Sequence, residues 1–119
     1  QVNNAIICQG AVVEGAHIDS SIIGPRVQVG KETTIKNSIL LGNQFYTVPN
    51  TMQDAPEHLN IGKRCHIENT IIDEHACIED DVTLTNAENI DSLDGDGYMI
   101  RDGIIIILSG AQIPKGFKL

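Results

Sequence analysis

Four histidines and three cysteines are the residues of this 119-residue chain whose side chains could carry chemistry by themselves. A histidine held by a second group can act as a general base. His17, His66 and His75 each stand one place before a small or branched apolar residue, which turns them outward on a strand, and His58 falls in an unpatterned stretch. None has a partner that the sequence supplies, and a solvated surface histidine is the simpler reading of each. Cys65-His66 with His75 and Cys77 brings zinc to mind. Adjacent residues do not both face one tetrahedral ion, however, and no C-x-x-C or H-x3-H spacing is present. Asp94-Gly95-Asp96-Gly97 hints at a calcium loop, yet the twelfth place falls on Ile105, which has no carboxylate. A flexible acidic turn is the plainer expectation. No phosphate-gripping glycine run precedes a helix. The chain therefore yields no catalytic residue and no metal site.

The elements that would position these groups come from a returning phrase. Asn4-Ala5-Ile6-Ile7 comes back as Ser20-Ser21-Ile22-Ile23, as Asn37-Ser38-Ile39-Leu40 and as Asn69-Thr70-Ile71-Ile72. Within each period aliphatic residues recur at steps of five or six: Ile7, Val13, Ile18, Ile23, Val29, Ile35, Leu40, then Ile61, Ile67, Ile72, Ile78 and Leu84. An amphipathic helix alternates threes and fours instead. A smaller residue sits two places before most of them, among them Ala16, Ser21, Thr33, Ser38, Cys65, Thr70 and Ala76. Residues i and i−2 of a strand share a face, so each unit offers one small and one large side chain to one interior. Gly24, Gly30, Gly42 and Gly62 lie near unit ends, where the chain must bend. Three units make one coil, and the fold expected is an all-β parallel solenoid of about five to six coils.

Composition bounds the partners. Aromatics are 3% and tryptophan is absent, which suits a narrow aliphatic interior. Sixteen acidic against eight basic residues give a net charge of −8, the wrong sign for a nucleic-acid surface. Cys8, Cys65 and Cys77 are odd in number and read as free thiols of a reducing compartment. The apolar run Ile104 to Leu108 is far too short to span a membrane, and no signal peptide is visible.

One domain is expected, with coils over 2–42, an inserted loop over 43–60, coils again over 61–84, an irregular turn over 85–97 and terminal coils over 98–119. Insertions in solenoids are extruded on one face. Phe45 and Tyr46 in the loop find no room inside the tube and are expected to pack on its outside or on another domain or subunit. In the tail either alternate pair of Ile104 to Ile107 could face inward. Lys115 and Lys118 keep the last edge charged.

Three stretches carry a narrower resemblance: 37–46, 61–73 and the ending Ile100-Arg101-Asp102-Gly103-Ile104-Ile105-Ile106-Ile107. In this order, with insertions after Tyr46 and before Tyr98, the chain resembles the C-terminal β-helix domain of the ADP-glucose pyrophosphorylase (glucose-1-phosphate adenylyltransferase) family. The resemblance implies a left-handed parallel β-helix. It further implies that an N-terminal catalytic domain, not within this chain, makes ADP-glucose from ATP and glucose 1-phosphate with magnesium ions. No cofactor is expected in the present domain. The β-helix would serve regulation and oligomerisation, with its own catalytic domain and a homo- or hetero-tetramer as partners and a phosphorylated metabolite as effector. In photosynthetic members lysines of this domain help bind 3-phosphoglycerate; at the two matching places this chain has Glu74 and Ser109. Lys63, Arg64 and Arg101 are the cations left to replace them. The resemblance places the protein in the cytoplasm, or in the plastid of a plant or alga.

Two other readings compete. A stand-alone hexapeptide-repeat acyltransferase would be trimeric, with a histidine and a coenzyme A groove between prisms. A bare scaffold would have a polar outer surface all round, whereas a docked catalytic domain requires an apolar strip.

Overall fold

The computed structural model describes residues 2–13, 15–42 and 61–119. Those residues wind into a three-sided parallel tube whose faces are built by residues one coil apart. The first face stacks β1 (Val2–Asn3), β3 (His17–Asp19), β5 (Thr34–Lys36), β7 (His66–Glu68) and β10 (Thr83–Leu84) in one five-stranded sheet. The second stacks β2 (Ile6–Ile7), β4 (Ile22–Ile23), β6 (Ile39–Leu40), β8 (Thr70–Ile72) and β13 (Ile104–Ile107). The third is shorter-stranded, with bridges Val12 to Gln28, Val29 to Ile61 and Ile61 to Ile78, and then β9 (Cys77–Ile78) beside β14 (Gln112–Ile113). The pairings between coils are parallel.

Register turns the aliphatic beat into three columns. Val2, Ile18, Ile35, Ile67 and Leu84 superpose on the first face, and Ile7, Ile23, Leu40, Ile72 and Ile107 on the second. Ile18, Ile23, Ile35, Ile61, Ile67, Ile78, Leu84, Ile105, Ile107 and Ile113 are fully buried. Ile7 and Val13 are only half-buried, since among the described residues the first coil packs against a neighbour on one side alone. The small column lies beside the large one: Ala16, Ser21, Val27, Thr33, Ser38, Cys65, Thr70 and Ala76 are buried too.

The hydroxyls in that column do a backbone's work. Ser21 Oγ donates to the Asp19 carbonyl (2.8 Å) and accepts the Ser38 amide (3.1 Å). Ser38 Oγ donates to the Lys36 carbonyl (2.8 Å) and accepts the Thr70 amide (3.2 Å). Thr33 Oγ1 likewise links the Gly62 carbonyl (2.7 Å) and the Cys65 amide (3.1 Å). At these corners the ladder is interrupted, and a buried amide left without a partner costs about 1–3 kcal/mol.

Each corner turns through a residue in the left-handed region. Asn4, Ser20, Asn37, Asn69 and Asn86 hold φ between 48° and 52° at the corner from the first face to the second. Gly10, Arg26, His75 and Gly110 also take positive φ at the next corner, and Gly15, Glu32, Arg64, Asp81 and Gly116 at the third, all between 57° and 83°. Of the glycines expected to serve the bends, only Gly42 has a positive φ. Gly24, Gly30 and Gly62 serve a different need. A Cβ on Gly24 would stand 2.5 Å from the Leu40 carbonyl oxygen, and one on Gly30 would stand 2.6 Å from Gly62. These three glycines let successive coils approach.

The tail corrects two expectations. Residues 85–97 are not irregular throughout, since Ser92–Asp94 forms a strand, β11. It pairs antiparallel with β12 (Tyr98–Arg101), and β12 pairs antiparallel with β13. Residues 98–101 are thus the return arm of a meander on the second face, and the terminal coil strand starts at Ile104. The ambiguous run takes one register because Ile105 lies opposite Thr70 and Ile107 opposite Ile72, which sends that pair inward. Asp94 to Gly97 make the meander's turn, closed by the Gly95 amide donating to the Tyr98 carbonyl (2.9 Å). The inserted segment 43–60 lies outside the described residues. No helix among the described residues is long and apolar enough to cross a membrane.

The corner geometry gives a measurable outcome. Asn69→Val lowers unfolding stability by about 1–2 kcal/mol, because a β-branched residue is strained at φ 51°. Asn69→Gly stays within about 0.5 kcal/mol of the parent. Urea titration of the two variants checks both.

Candidate functional site

The three outer faces differ, and the difference follows from what each strand places opposite its buried residue. On the first face the outward ladder runs His17, Thr34, His66, Thr83 beside Asp19, Lys36, Glu68. It is polar, and His66 Nε2 contacts Glu68 Oε2 on the same strand. On the second face the outward ladder is Ile6, Ile22, Ile39, Ile71, Ile106 and Met99, each directly opposite the next in the sheet. Ile6 is 61% exposed, Ile22 39% and Ile39 40%, and Leu41, Ile104 and Leu108 widen the strip at its sides. A shallow groove runs along it, floored by Ile39, Ile71 and Ile104 and rimmed by Asn37, Asn69 and Asp102. A contiguous apolar strip over a whole sheet marks an interaction surface.

The signal for this strip lay in the returning phrase itself. Successive side chains of a strand point to opposite faces. The doublets Ile6-Ile7, Ile22-Ile23, Ile39-Leu40, Ile71-Ile72 and Ile106-Ile107 therefore fill the interior with their second residue and coat the exterior with their first. Reading the beat for the core alone passed over the outward member.

The residues singled out for an effector do not form one group. Lys63 and Arg64 lie at the corner between the third and first faces, one coil below Asp80 and Asp81. Arg64 makes a two-point ion pair with Asp81 (2.7 and 3.2 Å) and reaches Asp80 at 3.9 Å. The Lys63 amide donates to Asp80 Oδ1 (2.9 Å). The hydrogen bond and charge of Asp81 raise Arg64 above its ordinary range, and Arg64 holds Asp81 below the usual carboxylate value. Arg101 is on β12 and folds back on the meander, donating to Asp94 Oδ1 (2.6 Å) and to the carbonyls of Leu93 (3.1 Å) and Ile100 (2.8 Å). Glu74 and Ser109 are the pair that the fold brings together. They stand at the corner between the second and third faces in successive coils, where Ser109 Oγ and the Gly110 amide both donate to the Glu74 carbonyl (3.1 Å each). Phe45 and Tyr46 lie outside the described residues.

The cysteine and histidine positions separate in the same way. Cys65 points into the tube, with its thiol against the Glu79 carbonyl (3.1 Å), while His66 points out. Burial raises the Cys65 and Cys77 thiols above their ordinary range, which leaves both poor nucleophiles. Among the described residues no three His, Cys, Asp or Glu side chains are placed to hold a metal ion.

Because Arg64 depresses the Asp81 carboxyl, the pair's contribution to stability is complete above the ordinary carboxylate pKa and is lost as pH falls through the depressed value. Asp81→Asn therefore lowers neutral stability slightly, leaves stability at the acid end unchanged and so makes the acid limb of the curve shallower. Thermal melts between about pH 2 and 8 read this out.

Comparison with known proteins agrees with the repeat and the sheets. The model of the GLGC left-handed parallel β-helix domain matches residues 1–117. The glucose-1-phosphate adenylyltransferase small subunit of Zea mays is 30% identical over 122 residues, which cover 97% of this chain and 98% of that protein. The chloroplastic/amyloplastic small subunit of Triticum aestivum is 30% identical, with 97% of this chain but 26% of that protein covered. An Arabidopsis thaliana protein named as an inactive, chloroplastic small subunit 2 of the same enzyme is also 30% identical, and this chain spans 26% of it. The chain thus spans about a quarter of the length of the last two relatives. The matched proteins are adenylyltransferase subunits, so the acyltransferase reading is not favoured. With its hexapeptide coils, its parallel sheets and this match over nearly its whole length, the chain belongs to the GLGC left-handed parallel β-helix family, the β-helix domain of glucose-1-phosphate adenylyltransferases.

Proposed function

We propose that this chain is the assembly and regulatory domain of a subunit that makes ADP-glucose from ATP and glucose 1-phosphate, and that it does no chemistry itself. The observation that carries the reading is the outward aliphatic ladder from Ile6 to Ile106 on one of the three faces. A scaffold without partners has no use for such a strip, and its exposure would be a solubility burden. Its natural cover is the nucleotide-handling part of the same or a neighbouring subunit, where the magnesium ions of the reaction would reside. The relatives' designation as subunits supports association. The plastid designations of two of them support a plastid location, and three free thiols suit its reducing interior.

Control by 3-phosphoglycerate through the Glu74 and Ser109 corner is weak or absent in this reading. A carboxylate at the first of these positions repels a phosphate at short range. Arg64 and Arg101 are already committed to Asp81 and Asp94 and offer no replacement cluster.

Two experiments follow. In a polypeptide that joins this chain to its catalytic part, Ile22→Asp with Ile39→Asp disrupts subunit assembly and lowers adenylyltransferase activity at least about ten-fold, while the isolated 119-residue variant keeps its fold. Unchanged assembly and activity would show that the strip has no part in assembly. In the same polypeptide, Glu74→Lys with Ser109→Lys creates or strengthens activation by 3-phosphoglycerate. Tight activation of the unmodified protein would refute the proposed loss of control.

A further inference from the structure

We propose that the β11–β12 meander is an edge stop: it blocks the last parallel strand of the second face and so prevents copies of the chain from adding head to tail. Without the meander that strand would be a free edge. β13 is parallel to β8 and in step with every earlier strand of its face, with Ile105 opposite Thr70 and Ile107 opposite Ile72. At the other end of the same sheet, among the described residues, stands β2. Ile6 and Cys8 donate their amides inward to Ser21 and Ile23. Alternate amides of a parallel strand face opposite ways, so the Ile7 amide faces away from β4, toward the side on which β2 has no neighbour among the described residues. A bare β13 edge and a β2 edge are therefore complementary, parallel and built on the same aliphatic columns. Such a contact is heterologous and does not close, so it propagates into a fibre.

The meander occupies that place. β12 runs antiparallel along β13 and pairs Tyr98 with Ile107, Met99 with Ile106, Ile100 with Ile105 and Arg101 with Ile104. An antiparallel strand breaks the sense of the tube, so no further coil can follow in register. The new edge, β11, is three residues long and presents Ser92 and Asp94, the kind of short charged edge that refuses a partner strand. Two latches hold it. At the base, the buried Asn86 side chain donates to the carbonyls of Ile90 (2.8 Å) and Gly103 (3.1 Å) and accepts the Ile90 amide (2.9 Å). At the tip, Arg101 ties Asp94 and Leu93 together. Tyr98 meets Phe117 edge to face, with ring centroids 5.1 Å apart, and Ile100 is fully buried beneath the meander.

The stop is also a separable insertion. Asn86 holds φ 52° where Asn69 holds 51° one coil earlier, and Ile105 takes the place of Thr70. Removing residues 87–104 joins Leu84-Thr85-Asn86 to Ile105-Ile106-Ile107, the spacing of Ile67-Glu68-Asn69-Thr70-Ile71-Ile72 in the preceding coil. The shortened chain has an uninterrupted last coil with a free parallel edge.

The test uses the 119-residue chain and the Δ87–104 variant, compared by circular dichroism and by sedimentation over a concentration series. The variant keeps its β signal, and its average mass rises with concentration to at least about twice that of the parent at the same concentration. Adding Ile7→Pro to the deletion removes the edge amide of β2 and returns the mass to the parent's value. A folded deletion variant that matches the parent in mass overturns the proposal, and so does association that persists with Ile7→Pro. Should the deletion fail to fold, Ile100→Asp in the full-length chain expels the meander without shortening it. Limited proteolysis then cuts within 87–103 and association follows; cutting without association overturns the proposal equally.

Discussion

Everything in this tube depends on one repeat distance. Strands of neighbouring coils lie about 4.8 Å apart, so whatever a coil places inside must stack on its own kind at that spacing. Isoleucine, valine and leucine fill such a column without voids, and alanine, serine or threonine fits beside them where the corner narrows. The same distance dictates the corners. To close each coil and come back one strand spacing higher, the chain bends at each corner through a left-handed residue, and the corner from the first face to the second uses Asn4, Ser20, Asn37, Asn69 and Asn86 for it. Gly24, Gly30 and Gly62 follow from it as well, since a Cβ at any of them would collide with a backbone or side-chain atom of the next coil.

Function is placed where the repeat leaves freedom. The interior is committed to packing and the corners to turning, which leaves the outward side chains and the insertions. The second face uses its outward positions for an aliphatic ladder, while the first uses the equivalent positions for charge and hydroxyl groups. The insertion at 87–104 departs from a corner and returns to it without disturbing the columns on either side, because Asn86 and Ile105 keep the places of Asn69 and Thr70. A solenoid thus acquires new surface without redesigning its core.

Much of the fold was legible because its rule is local. Five- and six-residue steps from Ile7 to Leu84 needed no knowledge of partners, and the columns follow from them. The corners were half legible: asparagine and glycine stood out, but Arg26, Glu32, Arg64 and His75 also turn through positive φ, and nothing in their chemistry announces it. The register of Ile104 to Ile107 was hidden, since four equal residues carry no alternation and the choice is made by Thr70 and Ile72 in another coil. The meander was hidden for a similar reason. Tyr98 to Arg101 looks like a repeat strand, and only its pairing direction distinguishes it. For the candidate site, the fate of Arg64 and Arg101 rests on Asp81 and Asp94, contacts that no spacing rule reveals.

The hydroxyl links within the small column have a mechanical consequence. Ser21, Ser38 and Thr70 clip three successive coils to one another, whereas Ala5 stands below Ser21 and Ile105 above Thr70, with nothing to clip. The column is therefore a rivet through the middle of the tube that stops short of both ends. Under heat or tension the outer coils peel first and the riveted block opens last, as one unit.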